Sequence, residues 1–146
     1  MAATRGDWRA LRAVWALAAA LCYAGQLAAQ DPRASPVQEN ARAWLAYTDR
    51  GDAAASWKNA GKQFRNAITV ERWTQSLNQV RPPLGAVSQR ALLKTQFRQS
   101  FPGAPDGEYA VVVFRTTFAK KADASETVTL EHESDDAWRV IGYFVK

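Results

Sequence analysis

Histidine and cysteine, on which many catalytic sites depend, each occur only once in this chain. His132 is the only histidine, and it lies between Glu131 and Glu133, where an exposed side chain is more common than a general base. The glycines of segment 102–107 are followed by neither the lysine nor the helix that a phosphate-binding loop requires. We therefore expect a protein that is not an enzyme and has no catalytic residues.

The spacing of the acidic residues does not indicate a metal site. Asp135 and Asp136 are neighbours in a predicted turn, whereas a calcium site needs several oxygen ligands that converge. Glu126, Glu131 and Glu133 fall in a predicted strand, on a face that we expect to be exposed. With one histidine and one cysteine, the chain has too few nitrogen and sulfur ligands for a zinc site. The sequence therefore predicts neither a metal nor another cofactor.

Three arginines are the candidate ligand-binding residues: Arg81, Arg90 and Arg115. Arg81 precedes two prolines at the end of a predicted helix, and Arg90 follows Leu84-Gly85 across a short connection. Two interpretations are open for these side chains. The guanidinium groups could bond to the last carbonyls of that helix or pair with carboxylates, or they could form an anion-recognising mouth of a cavity.

The net charge argues against a nucleic-acid partner. The chain has a formal charge of +5, but residues 1–29 carry three arginines and one aspartate, so their removal would leave +3. The other basic residues are scattered along the chain and do not form a cluster. We expect the partner to be an unknown small ligand or an envelope protein.

The first 29 residues have the organisation of a secretory signal peptide. Three arginines precede an uncharged, alanine-rich run over residues 13–24. The small-residue sequence Leu27-Ala28-Ala29 then precedes Gln30 and suits a cleavage site. We expect cleavage near Ala29 and a periplasmic or secreted protein that has no stable membrane insertion afterwards.

Two alternatives to a cleaved leader are less consistent with the residues. An uncleaved membrane anchor would need a run of about 18 apolar residues, but this leader is poor in Leu and Ile and contains Gly25 and Gln26. A lipid anchor on Cys22 would need a small residue directly before the cysteine and a bulky aliphatic residue three positions before it. Leu21 and Ala19 occupy these positions in the reverse order.

The mature chain is predicted to begin with a flexible tether over residues 30–36, which is polar and contains two prolines. A single domain over residues 37–146 follows. Apolar residues spaced by three and four predict three helices. The first begins near Ser35 or Pro36 with Ser35 as its cap, the second covers residues 52–66, and the third begins at Thr69 and ends at Arg81-Pro82-Pro83. Their predicted buried faces are Val37, Ala41, Trp44, Leu45 and Thr48; Ala53, Trp57, Ala60, Gly61 and Phe64; and Val70, Trp73, Leu77 and Val80.

The second half of the chain favours strands. Segments 88–97, 108–118, 126–133 and 137–145 are predicted strands, and residues 120–125 are a predicted polar loop. Within the first segment, Ala91-Leu92-Leu93-Lys94 would also suit a helical turn. Three helices followed by four such strands predict an α+β fold, in which the helices pack on one face of a curved antiparallel sheet.

An ordered set of short motifs resembles a known family. The motifs are Trp57, Phe64 and Trp73; Arg81-x-Pro83-Leu84-Gly85 with Arg90; Pro102-Gly103-x-Pro105-Asp106-Gly107-x-Tyr109; and Trp138-Arg139-Val140-x-Gly142-Tyr143-Phe144. They resemble domain of unknown function 4019, a family of short exported bacterial proteins, over nearly all of the mature chain. The resemblance implies no activity and no catalytic residues. The layout also resembles the cystatin-like cone of the nuclear transport factor two superfamily, in which helices and a bent sheet surround a cavity.

Apolar residues on both faces of the predicted sheet indicate a contact surface. Alternation places Trp138, Val140 and Phe144 on one face of the last strand, and Ile141, Tyr143 and Val145 on the other. Only one face can lie under the helices, so we expect a homodimer or a partner contact through the second face. The alternative is that sheet curvature, the N-terminal segment or long Arg and Lys side chains cover this face. The leading hypothesis is a non-enzymatic module of the cell envelope that binds a small ligand or a protein. The alternatives are a structural or assembly protein that pairs through its sheet, and a cavity enzyme of another type.

Overall fold

Four helices precede four strands along the chain. The structure is a computed structural model and describes residues 30–146, so the predicted signal peptide lies outside the described residues. The elements are α1 (Ala34–Asp49), α2 (Ala53–Lys58), α3 (Lys62–Ala67), α4 (Val70–Leu84), β1 (Val87–Arg98), β2 (Tyr109–Phe118), β3 (Lys121–His132) and β4 (Trp138–Val145). Within residues 30–146, no helix combines the length and apolar character needed to cross a membrane. The predicted α+β class is confirmed.

Helix α1 begins earlier than its sequence predicted. It starts at Ala34, so the last three residues of the predicted tether are helical. The predicted cap at Ser35 is wrong: Arg33 occupies the cap position without a side-chain cap, and its guanidinium bonds to Asp31 instead. The predicted buried face of this helix is confirmed, since its buried residues are Val37, Ala41, Trp44, Leu45 and Thr48.

The predicted second helix is two short helices, α2 and α3. Asp52 caps α2 as expected, since its carboxylate accepts the N–H of Ala55 at 3.0 Å. The helix ends at Lys58, because Gly61 instead donates its backbone N–H to the Val140 carbonyl of β4 at 2.7 Å. A Cβ on Gly61 would lie 2.9 Å from Cγ2 of Ile141. The close approach between this turn and β4 therefore requires glycine and divides the helix.

Helix α4 continues through the two prolines that were predicted to end it. Thr69 caps the helix by accepting the N–H of Arg72, and the last helical residue is Leu84. A proline near the end of a helix loses its own donor, but its carbonyl still accepts a bond. Here Gly85, with a φ of 78°, donates to the Pro82 carbonyl and ends the helix.

The four strands form the predicted antiparallel sheet, in the order β1-β2-β3-β4, so each strand pairs with the next one along the chain. The predicted loop over residues 120–125 is wrong, because β3 already begins at Lys121. Strands β2 and β3 are therefore joined by a tight connection at residues 119–120. This sheet curves around the helices, which cover one of its faces.

A bulge in β4 reverses the predicted orientation of its last residues. Thr129 pairs with Gly142, but the next residue, Leu130, pairs with Val140, so Ile141 is the extra residue. Tyr143 pairs with the buried Val128 and faces the helices, whereas Phe144 is 55% exposed on the outer face. The predicted faces of these two aromatic residues were therefore wrong.

The centre of the core is aromatic. The ring of Trp73 lies 5.0 Å from that of Phe64 and 5.9 Å from that of Trp44. Its indole N–H donates to Oγ of Ser56 at 2.8 Å, so the polar end of this buried side chain is satisfied. These contacts hold α4 against the other helices. Two residues of the predicted α4 face are not buried: Val70 is half-buried, and Val80 is 41% exposed.

Candidate functional site

Four charged side chains from four different elements meet between the helices and the sheet. Asp49 is the last residue of α1, Arg81 lies in α4, Arg90 in β1 and Glu126 in β3. Glu126 is fully buried, and the side chains of Arg81 and Arg90 are only 8% and 11% exposed. We call this set the ionic network.

Arg90 bonds to both carboxylates of the ionic network. Its two terminal nitrogens donate to the two oxygens of Asp49, each at 2.8 Å, and its Nε donates to Oε1 of Glu126 at 2.9 Å. Burial alone disfavours a charged guanidinium, but the hydrogen bonds and charges of Asp49 and Glu126 outweigh it and raise the pKa of Arg90. This bidentate geometry fixes the guanidinium plane.

Arg81 completes the balance of charge. Its Nη2 donates to Oδ1 of Asp49 at 2.7 Å, and its Nη1 lies 3.7 Å from Oε2 of Glu126. The guanidinium also lies over the ring of Phe118, 4.8 Å from the ring centre. Two cations thus face two anions, so neither guanidinium carries an uncompensated charge.

Tyr143 connects the ionic network to the surface. Its hydroxyl donates to Oε2 of Glu126 at 2.9 Å and accepts from Nη1 of Arg81 at 3.4 Å. Burial, together with the nearby Glu126 carboxylate, raises the pKa of Tyr143 above its ordinary value of 10.0. The phenol is therefore a neutral donor that holds its ring in one position.

That ring forms part of an apolar groove between α4 and β4, which we call the α4–β4 groove. The groove has a volume of about 240 Å³ and is lined by Trp73, Ser76, Leu77, Val80, Tyr143, Phe144 and Val145. Its lining contains no charged residue. Val80 and Phe144, two of the most exposed large apolar side chains of residues 30–146, lie on its rim.

The three arginines predicted as ligand-binding residues are not together. Arg81 and Arg90 share the ionic network, in which both pair with carboxylates. Arg115 lies on β2, its side chain is 67% exposed, and Nε is 3.7 Å from Oδ1 of Asp123. The structure thus assigns Arg115 to a different, solvent-exposed part of the sheet.

The sequence reasoning missed Asp49, Glu126 and Tyr143. Glu126 was expected on an exposed face, which is wrong, because it is fully buried. The sequence contains a signal for this burial, since successive side chains of a strand point to opposite faces of the sheet. Glu126 is two and four positions before Val128 and Leu130, so it lies on the same face of β3 as these two buried residues.

His132 is half-buried, which corrects the expectation of an exposed side chain. Its Nδ1 lies 2.9 Å from Oε2 of Glu108, and its Nε2 lies 2.9 Å from Oδ1 of Asp136. The imidazole ring also stacks on Trp138 at 4.8 Å. Both ring nitrogens therefore contact carboxylates. Among residues 30–146, no group of three or more His, Cys, Asp or Glu side chains is arranged to hold a metal ion.

Comparison with known proteins gives a family and a fold. The sequence profile of a family described as protein of unknown function (DUF4019) matches residues 40–143. The crystal structure of a candidate NTF2-like transpeptidase from Campylobacter jejuni is similar with a TM-score of 0.52 and 14% identity, over 70% of this chain and 94% of that chain. At this identity the likeness shows the fold, which is the expected NTF2-like cone. No protein with a curated description matches the chain.

Proposed function

Since the chain belongs to the family of proteins of unknown function DUF4019, we propose from the geometry that it is a non-enzymatic binding module of the bacterial cell envelope. Its binding site is the α4–β4 groove, which takes an apolar segment of a partner protein or a small apolar ligand. One observation carries this proposal. The groove is open and uncharged, and Tyr143 in its aromatic wall donates a hydrogen bond to Glu126 of the buried ionic network.

A preformed wall favours binding, because its side chains lose little conformational entropy when a ligand enters. The ring of Tyr143 cannot turn without breaking the hydrogen bond to Glu126, and Glu126 is held by Arg90. Arg81 and Arg90 are thus positioning residues of the binding site. They act through Tyr143 and do not contact the ligand. Arg115 has no part in this site.

The same geometry argues against a catalytic cavity. A general base must be able to accept a proton from a substrate. Each carboxylate of the ionic network already accepts hydrogen bonds from a guanidinium, and both nitrogens of His132 contact carboxylates. The Campylobacter jejuni protein is named as a candidate transpeptidase, but at 14% identity its likeness to this chain extends to the fold alone.

The envelope location is supported by the leader. Residues 1–29 have the basic, apolar and small-residue regions of a signal peptide. A module in the periplasm meets lipids, lipoproteins and unfolded outer-membrane segments, all of which present apolar surface. The α4–β4 groove suits such partners by its chemistry.

A neutral fluorescent dye, N-phenyl-1-naphthylamine, tests the groove at nanomolar chain concentration. We expect saturable binding with enhanced fluorescence, and at least tenfold weaker binding to Val80→Glu, because a carboxylate on the rim would have to be desolvated. Leu93→Glu is the matched control, since Leu93 is 55% exposed on β1 and lies outside the groove. Equal binding to both variants would overturn the proposal.

A further inference from the structure

Part of the outer edge of β4 is free to pair with another strand. Lys146 and Ser125 exchange both backbone hydrogen bonds, at 3.0 and 3.2 Å. In an antiparallel ladder such pairs alternate with pairs whose backbone groups point outward. The regular register from Glu126–Val145 to Thr129–Gly142 therefore turns the N–H and C=O groups of Tyr143 and Val145 away from β3.

Closer to the start of β4, the edge is occupied at Val140. The carbonyl of Val140 accepts the N–H of Gly61, and the nearby N–H of Lys62 donates to the Glu133 side chain. Among residues 30–146, no backbone hydrogen bond outside the helices and strands involves Tyr143 or Val145. An unpaired edge of this kind is a template for strand addition unless charge or proline blocks it. Here it borders the α4–β4 groove.

We propose that the edge and the groove are filled by a second copy of this chain, in a two-fold symmetric dimer through β4. The inference rests on the proposed binding role of the groove and names its partner. The axis passes through Phe144, so that Tyr143 of each copy pairs with Val145 of the other. The two copies exchange four backbone hydrogen bonds, and their sheets join into one sheet of eight strands.

Symmetry is the first argument for a second copy. The two outward-facing residues, Tyr143 and Val145, flank Phe144 equally, so the edge is complementary to itself after a two-fold rotation. The pairing places the exposed ring of Phe144 against the same ring of the second copy, on the outer face of the sheet. Val145 of each copy then lies beside the groove of the other.

Charge is the second argument. A two-fold contact sets each surface against its own copy, so a charged surface would repel itself. The α4–β4 groove has no charged lining residue, although the chain as a whole is basic. Lys146 would lie opposite Gly142 of the second copy, and its ammonium lies 5.8 Å from the ring centre of Phe144, on the outer face of the sheet. The groove side of a contact between two copies therefore carries no like-charge pair.

Substitutions of opposite charge at position 144 test whether Phe144 of one copy faces Phe144 of the other. The protein is expressed with its own leader, purified, and studied by sedimentation equilibrium over micromolar to millimolar chain concentrations. We expect a dimer for the unchanged chain, and dimerisation weakened about tenfold or more for Phe144→Glu and Phe144→Lys alone, since like charges would then face each other. An equal mixture of the two variants should form the dimer again. Phe144 is exposed, so both variants should fold.

A second pair of variants tests the hydrogen bonds. Val145→Pro removes a donor that points away from β3, which an edge strand tolerates, and should abolish the dimer. Val145→Thr keeps the donor and the branched shape and should retain it. A dimer that survives Val145→Pro, or a mixture of the charged variants that stays monomeric, would overturn the pairing.

The dye separates this inference from the proposed function. If both are correct, dye bound per chain falls as the chain concentration rises, because the second copy occupies the groove. A monomer at every concentration that still binds the dye would overturn the dimer and leave the groove as a site for another partner. Absence of dye binding to the unchanged chain at nanomolar concentration, below the range in which the dimer forms, would overturn the proposed function.

Discussion

The hydroxyl of Tyr143 donates a 2.9 Å hydrogen bond to Glu126, a carboxylate with no exposure to solvent. This contact joins two features that are remote in the sequence, the ionic network inside the protein and the groove on its surface. A carboxylate at this depth is stable only because Arg90 and Tyr143 satisfy its oxygens. The position of the groove wall and the stability of the fold therefore depend on the same residue.

Replacement of Glu126 by glutamine should destabilise the protein. The substitution keeps the shape of the side chain but leaves the two buried guanidiniums with only Asp49, so we expect a loss of about 3–5 kcal/mol in the free energy of unfolding. Urea unfolding followed by tryptophan fluorescence measures it. Asp123→Asn is the control, since this carboxylate is 87% exposed and 3.7 Å from its arginine, and its loss should have little effect. Similar losses in both variants would contradict a special role of Glu126.

Alkaline pH should weaken the fold through Tyr143. Its pKa is raised above 10.0 in the folded state, so its contribution to stability is complete below pH 10 and decreases above it. In that range the unfolded chain loses a proton that the folded chain keeps, and the free energy of unfolding falls by about 1.4 kcal/mol per pH unit from this group. Tyr143→Phe should therefore show a shallower decline of stability above pH 10. Parallel curves for the two proteins would mean that Tyr143 titrates normally.

Gly61→Ala should disturb the contact between the α2–α3 turn and β4. The added methyl group would lie 2.9 Å from Cγ2 of Ile141 and 3.0 Å from Oε1 of Glu133, so one of the two segments must shift. We expect a loss of about 1–3 kcal/mol, as for other overpacked sites. Gly107→Ala is the matched control, because the atoms nearest to its methyl group would be those of Tyr109, at an ordinary contact distance of 3.7 Å. Thermal unfolding of both variants makes the comparison, and a fully stable Gly61→Ala protein would show that the turn has room.

Processing of the leader can be read from the intact mass. Expressed in a Gram-negative host, the protein should occur in the periplasmic fraction and begin near Gln30, because residues 1–29 have the build of a cleavable leader. Mass spectrometry of the purified protein provides the measurement. A retained leader, or a lipid adduct on Cys22, would show that the protein is anchored to the membrane.

The local pattern of the sequence was sufficient for the fold class and for the order of helices and strands, but it joined α2 and α3 into one helix and placed a loop where β3 begins. The buried face of α1 follows from apolar residues spaced by three and four, and the strands follow from β-branched and aromatic runs between turns. The helix caps at Asp52 and Thr69 were also predictable, because a cap needs only a side-chain oxygen and the next few backbone N–H groups. These signals act over a few residues and need no knowledge of distant contacts.

Only the tertiary structure decided the site. The ionic network joins Asp49 to Arg90 and Arg90 to Glu126, contacts between residues about forty positions apart, and pattern alone cannot choose a partner for a charge at that distance. The bulge at Ile141 likewise depends on β3, and a single extra residue is enough to move Tyr143 inward and Phe144 outward. Alternation along β4 therefore predicted the wrong faces for Tyr143 and Phe144, two of the residues that line the groove. The wall of the groove is a product of strand pairing and burial, which exist only once the chain has folded.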